Sequence, residues 1–147
     1  MRFFREIVMS VAFAAPALTV TSADAAPLRQ FMWKYRPLVV FAPTSSNQEL
    51  IRQRTIVSGN VTGLRERNIV VVEVIGSSVR SRLGPLSSAT ANALRKHYGV
   101  AGRQFRAVLV GKDGGSKLQS GRAMSTNRLF GTIDSMPMRR NEMRRGR

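Results

Sequence analysis

The 147-residue sequence contains no cysteine. That absence excludes disulfide bonds, thiol nucleophiles, thiolate metal sites and cysteine-based redox chemistry. Histidine is nearly absent too, because His97 is the single one. A metal site built from several imidazoles is therefore excluded, and we expect neither a metal nor a cofactor.

Acidic residues are also scarce. The chain has 8 of them against 24 lysines and arginines, a formal net charge of +16. A surface this basic attracts polyanions and anionic membranes non-specifically, so anionic envelope polymers are candidate partners. Codon bias in a GC-rich genome would produce the same arginine-rich composition without any partner. The sequence leaves both explanations open.

Residues 1–25 are predicted to be a signal peptide. A short basic segment, residues 1–5, precedes the uncharged apolar stretch 7–20, and Ala23-Asp24-Ala25 matches the small-x-small cleavage pattern. The apolar stretch is shorter than the roughly 20 residues that a membrane-spanning helix needs. We therefore expect a mature chain that begins near Ala26 and is periplasmic or secreted.

The rest of the chain suffices for one domain with its own core. Its first half is predicted to form a buried strand at Leu38–Ala42 and a second strand at Ile69–Ile75. Ser46 and Glu49 between them match the S-x-x-E capping box of a helix, and Gly59 is expected to end or interrupt that helix.

The second half is predicted to contain a loop, a helix, a β-hairpin and a last helix. These segments are Gly76–Pro85, Ser88–Tyr98, the strands Phe105–Gly111 and Lys117–Gln119, and a helix from Ser125 that ends at Pro137. The resulting order, βαβ, α, ββα, is that of the thioredoxin fold, an α/β fold with a four-stranded mixed sheet and helices on both faces. We assign the domain to residues 26–138 and a basic tail with little to bury to residues 139–147.

Two segments make the similarity more specific. They are "FMWKYRPLVVFAP", which contains Phe31-x-Trp33-Lys34-x-Arg36-Pro37, and "LFGTIDSMPMRRNEM", which contains Ile133-Asp134-x-Met136-Pro137-Met138-Arg139-Arg140. Over about residues 27–143 the chain resembles the bacterial DUDES-type domains, a thioredoxin-like family of unknown function. Related domains occur in animal extracellular-matrix and sushi-repeat proteins. The resemblance implies a cysteine-less thioredoxin-like domain and no particular mechanism.

The candidate catalytic residues lie at the predicted turn after the first strand and on two later elements. Thr44, Ser45 and Ser46 stand between a strand and a helix, where ligands often bind in α/β folds. Ser46 as a simple helix cap is the favoured alternative. A hydrolase would pair this turn with Glu73 or His97. His97 near a helix end is also consistent with an exposed polar residue.

Two acidic residues and one aromatic residue each have two interpretations. Glu73 interrupts the most apolar strand, either as a functional acid or as half of an arginine–carboxylate pair, and the pair is favoured. Asp134 has the same two interpretations, and a structural role is favoured for it too. Trp33, beside Lys34, could form an exposed patch for stacking on sugars or bases, but an anchor for the N-terminal segment is favoured.

Three functions follow from these observations. The favoured one is a non-catalytic binding or structural module of the periplasm or cell exterior. The alternatives are a hydrolase using the Thr44–Ser46 turn and a non-specific polyanion binder. The weak candidates for anion binding are four arginines in the predicted tail, Arg139, Arg140, Arg144 and Arg145.

Overall fold

The computed structural model describes residues 27–86 and 91–146; the predicted signal peptide lies outside these ranges. After a short 3-10 helix at Arg29–Phe31, the elements are β1 Arg36–Ala42, α1 Gln48–Ser58, α2 Val61–Glu66, β2 Ile69–Ile75, β3 Ser78–Ser81, α3 Ala91–Tyr98, β4 Arg106–Val110, β5 Ser116–Ser120, α4 Thr126–Asp134 and α5 Pro137–Arg145. None of the helices in the described ranges is both long and apolar enough to cross a membrane.

The strands form one mixed sheet with the order β3-β2-β1-β4-β5. β1 pairs with β2 in parallel and with β4 antiparallel, so it lies at the centre. Every residue of β1 is buried, because both faces of the sheet are covered there. The predicted α/β class and the helices on both faces are thereby confirmed.

The strand count differs from the prediction. Gly76, with a φ of +55°, and Ser77 connect β2 to β3 in a tight turn, inside the segment predicted to be a loop. Ser78–Ser81 then pairs antiparallel with β2, so the sheet has five strands rather than four. Val79 is the single apolar residue of this strand, so the sequence contains no alternating apolar pattern that would predict the strand.

Two hydrophobic clusters cover the two faces of the sheet. Val39 and Phe41 face α3 and its buried Leu94, whereas Leu38 and Val40 face α1 and α4. Burial along β2 alternates, in contrast to β1. Val72 is fully buried, but Val71 is only half-buried. Val71 packs against the cluster on the α1 face without being fully buried.

The N-terminal segment is anchored by Phe31 and not by Trp33. Phe31 is 3% exposed and packs edge-on against Tyr35, with 6.2 Å between the ring centroids. Trp33 is 64% exposed and has a φ of +66°, and its backbone N–H donates to the carbonyl of Lys112 at 2.6 Å. The favoured interpretation of Trp33 as the anchor was wrong.

The end of the chain is helical where a tail was predicted. α4 ends at Asp134, and Pro137 starts α5 instead of merely ending the previous helix. Proline suits the first position of a helix because its missing N–H would have no partner there. The arginines of residues 139–145 thus lie on α5, a helix without a buried residue, so this segment has little to bury, as predicted, but it is helical.

Candidate functional site

The turn after β1 places three hydroxyl groups at the surface. Thr44, Ser45 and Ser46 are all exposed, and the hydroxyls of Thr44 and Ser46 lie 3.1 Å apart. The cap of α1 is not Ser46: the side chain of Asn47 accepts the hydrogen bond from the backbone N–H of Leu50 at 3.1 Å. The predicted capping box is therefore wrong.

Glu49, the second half of that predicted box, makes a different contact. Its carboxylate accepts a hydrogen bond from the backbone N–H of Ala123 at 2.8 Å and pairs with Arg52 at 2.7 Å. The carboxylate thus joins α1 to the segment before α4. The interruption expected at Gly59 is present, since α1 ends at Ser58 and α2 begins at Val61.

Glu73 lies in a bidentate ion pair. Its two carboxylate oxygens accept hydrogen bonds from Nε and Nη2 of Arg54 at 2.8 and 2.7 Å. The hydrogen bond to Glu73 raises the pKa of Arg54 further above its usual value, so the arginine stays charged. This fork geometry holds both side chains in one arrangement. It is the structural arginine–carboxylate pair that the sequence favoured.

His97 lies on the opposite face of the sheet from Glu73. It is exposed near the end of α3, and its ring stands edge-on to Tyr98 with 4.7 Å between the centroids. Burial raises the pKa of Tyr98 to about 12, so this phenol stays protonated at neutral pH. Glu73, by contrast, points to the α1 face, where it meets Arg54.

The candidate catalytic residues are not brought together. Within the described ranges, no hydrogen bond joins Ser45 or Ser46 to Glu73 or His97. Those ranges also contain no group of three or more histidine or acidic side chains placed to hold a metal ion. Neither Ser45 nor Ser46 is therefore hydrogen-bonded to a base, as nucleophilic catalysis by a serine would require.

The four arginines proposed for anion binding differ in their surroundings. Arg139 contacts Asp134 at 3.3 Å and Glu142 at 3.5 Å and donates to the carbonyl of Glu66, so its cation is already compensated. The other three are exposed on α5: Arg140, Arg144, which donates to the side chain of Asn141, and Arg145.

A buried ion-pair network connects the first strand with the last helix. Arg36 is 1% exposed, and both its terminal nitrogens donate to Glu142 of α5, at 3.3 and 3.1 Å. Lys112 approaches the same carboxylate at 2.6 Å. Burial alone would raise the pKa of Glu142, but the hydrogen bonds from Arg36 and Lys112 outweigh it and hold the pKa below its usual value.

Asp134 extends this network to α2. Its carboxylate accepts hydrogen bonds from Arg67 at 3.0 and 2.7 Å, and these bonds lower its pKa. The guanidinium of Arg67 also lies 4.0 Å from the ring centroid of Phe130. Sequence reasoning missed the role of Glu142, because no local pattern links residues that lie 106 positions apart.

An open groove lies between α1–α2 and the β2–β3 hairpin, on the same face as Glu73. Two adjoining cavities of about 630 and 480 Å³ form it and share Val57, Val71 and Arg82 in their linings. We call it the α1–β3 groove. Six large apolar side chains are exposed in the described ranges, and three of them, Ile51, Val61 and Leu83, line this groove.

The charged part of the lining of the α1–β3 groove is mostly cationic. One carboxylate, that of Glu73, lines the groove, and it is ion-paired with Arg54. The arginines of the lining are Arg54, Arg65, Arg80 and Arg82. Arg80 lies opposite Glu73 in the β2–β3 register. The guanidinium groups of Arg65, Arg80 and Arg82 have no hydrogen-bond or ion-pair partner in the part of the chain that the structure describes.

The fold and the turn after β1 together define a class: a thioredoxin-like domain without a sulfur nucleophile. The solved structure of reduced Plasmodium vivax 2-Cys peroxiredoxin superimposes with a TM-score of 0.55 at 17% identity, covering 79% of this chain and 84% of that chain. The likeness supports the fold alone.

The family model described as "Domain of unknown function (DUF4174)" matches residues 27–142, and the chain belongs to this family. Rat sushi repeat-containing protein SRPX is 34% identical over 125 residues, and Xenopus laevis SRPX2 is 30% identical over 122. These matches cover 81% and 80% of this chain but 26% of each relative. Coiled-coil domain-containing protein 80 of Danio rerio is 26% identical over 133 residues, or 79% of this chain and 15% of its own. The chain thus spans about a quarter or less of the length of these curated relatives.

Proposed function

We propose that the protein is an exported, non-catalytic thioredoxin-like module that binds anionic partners in the periplasm or outside the cell. One observation carries the proposal: every acidic residue in the described ranges is ion-paired with an arginine or lysine. These residues are Glu49, Glu66, Glu73, Asp113, Asp134 and Glu142. The carboxylates are thus largely neutralised, and the charge left for recognition is positive.

Many arginines have no such counter-charge. The arginines of the described ranges that have no acidic partner are Arg29, Arg65, Arg80, Arg82, Arg95, Arg103, Arg106, Arg122, Arg128, Arg140, Arg144 and Arg145. A guanidinium group suits phosphate, sulfate and carboxylate groups because its planar fork donates two parallel hydrogen bonds. Envelope polymers that carry these groups are the partners we propose, and the leader-like residues 1–25 support export.

The hydrolase alternative gains no support from the described contacts. The hydroxyl of Ser46 lies near that of Thr44 and not near a base, and Arg54 holds the carboxylate of Glu73. A hydrolase also needs a group that stabilises the developing oxyanion next to its nucleophile. The exposed turn supplies hydroxyls without an activating partner, so we favour binding over catalysis.

The test is the affinity of the chain from Ala26 onward for heparin, lipopolysaccharide and DNA across a salt series. We expect binding to weaken steeply between about 50 and 200 mM salt, through counterion release. The double variant Ser45→Ala, Ser46→Ala is the matched control and should bind like the parent. Absence of binding at low salt, or an affinity that salt does not change, would contradict the proposal.

A further inference from the structure

The α1–β3 groove combines exposed apolar side chains with arginines that have no partner in the described ranges. Exposed apolar side chains usually stand singly, and a cluster of them marks an interaction site. Here Ile51, Val61 and Leu83, exposed by 43%, 39% and 52%, line adjoining cavities whose floor includes Val57 and Val71. Water covering this floor would be released by an apolar ligand, which favours binding.

The groove also carries positive charge that has no counter-charge in the described ranges. Arg80 and Arg82 extend from the β3 side of the groove without a partner in the described ranges, and both are exposed. Glu73 does not repel an anion there, because its two oxygens are occupied by Arg54. A ligand that pairs with these arginines and also covers the apolar lining of the groove therefore needs an anionic end and an apolar body.

We propose that the α1–β3 groove binds a single-chain amphiphile with a carboxylate head group, a molecule of the fatty-acid class. The head group would contact Arg80 and Arg82, and the chain would lie over Val57 and Val71. The two cavities, of about 630 and 480 Å³, fall within the size range of small-molecule sites. This inference rests on the proposed preference for anions and adds a defined site and ligand class to it.

The experiment measures the affinities of octanoate, decanoate and dodecanoate for the mature chain by titration calorimetry below their micelle concentrations. Each added methylene that reaches the apolar floor should tighten binding by roughly fourfold. Decanol and decyltrimethylammonium are the matched ligands that lack the negative charge, and both should bind at least tenfold more weakly than decanoate.

The variants separate the groove from general surface charge. Arg80→Ala combined with Arg82→Ala should weaken decanoate binding at least tenfold. Arg122→Ala combined with Arg128→Ala removes two exposed arginines outside the groove and should leave decanoate affinity unchanged. All four side chains are exposed, so both double variants should remain folded.

Several outcomes would overturn the inference. Equal losses of decanoate affinity in the two double variants would show that the groove is not the site. An affinity that does not depend on the length of the alkyl chain, or equal binding of decanol or decyltrimethylammonium, would contradict the ligand class. So would the absence of carboxylate binding, or binding of an acidic peptide alone. Heparin binding in the same samples separates the two proposals. If heparin binds with a steep salt dependence and decanoate does not bind, the groove inference fails while the proposed function stands; if neither binds, both fail.

Discussion

The carboxylate of Glu142 on α5 accepts hydrogen bonds from both terminal nitrogens of Arg36, the most buried charged side chain of the described ranges. The two residues lie in the two segments that carry the family resemblance. Their contact joins the start of β1 to the last helix, with Lys112 of the β4–β5 hairpin as a third member. The basic C-terminal segment is therefore part of the folded domain. A truncation after Met138 would remove Glu142, so it would change stability as well as surface charge.

Replacing Glu142 should destabilise the domain. Glu142→Gln leaves the buried Arg36 and the partly buried Lys112 without this counter-charge, and we expect a loss of about 2–4 kcal/mol in the free energy of unfolding. Glu66→Gln is the matched control, because Glu66 is exposed and its ion pair with Arg67 is long, at 3.8 Å. Glu66→Gln should lower the free energy of unfolding by less than about 0.5 kcal/mol. Urea denaturation of both variants is the measurement; equal stabilities would show that the network contributes nothing.

The stability should fall in acid, and Glu142 should contribute to the fall. Its pKa is lower in the folded state than the usual 4.5, so the unfolded chain binds protons first as the pH drops. The pKa of Asp134 is likewise lower in the folded state than its usual 3.8. Their contribution is complete above these usual values and is lost as the pH falls through the lower folded-state values.

The corresponding measurement is the melting temperature from neutral pH down to about pH 2. The parent should melt at progressively lower temperature below about pH 4.5, and Glu142→Gln should show a shallower dependence. Parallel curves for the parent and the variant would contradict the assignment of a lowered pKa to Glu142.

A charge inserted into β2 should have opposite consequences at neighbouring positions. Val72 is fully buried on the α3 face, so Val72→Lys places an unpaired charge in the core at a cost of several kcal/mol and should unfold the domain. Val71 lines the open α1–β3 groove, where a lysine can extend its ammonium group to water. Circular dichroism melts test this: Val71→Lys should stay folded, and a Val72→Lys variant that melts like the parent would refute the assigned faces of β2.

Two helical glycines should respond oppositely to alanine. A Cβ on Gly63 of α2 would lie 2.6 Å from the ring of Phe130, which Arg67 also contacts, so Gly63→Ala should cost about 1–3 kcal/mol. Gly131 of α4 has open space, and Gly131→Ala should stabilise by up to about 1 kcal/mol because alanine favours the helix. Thermal melts that rank the two variants in the reverse order would contradict this packing.

Local patterns predicted the elements whose apolar residues repeat or run together. The apolar run Leu38–Ala42 identified β1, and Asp113 with Gly114 identified the hairpin between β4 and β5, where Gly114 has a φ of +83°. β3 was missed because its four residues include a single apolar side chain, Val79, and owe their conformation to pairing with β2. Tertiary pairing can override weak local propensity in this way.

The ion pairs were predictable in kind but not in partner. The isolated carboxylate of Glu73 in an apolar strand indicated an arginine partner, yet the choice of Arg54 depends on how α1 packs over β2. Glu142 gave no such signal, because it lies among arginines in a segment without an apolar pattern. Its partner, Arg36, is distant in sequence, and only the fold brings the two together. The α1–β3 groove likewise depends on packing between elements.

In the proposed function, the arginines without acidic partners form the binding surface. The most direct test is a heteronuclear NMR titration of the chain from Ala26 onward with a heparin oligosaccharide at low salt. We expect amide shifts to concentrate around unpaired residues such as Arg80, Arg82 and Arg140, with little change around the paired Arg36. Shifts centred on the turn at residues 44–46, or no shifts at saturating oligosaccharide, would contradict the assignment of the binding surface to these arginines.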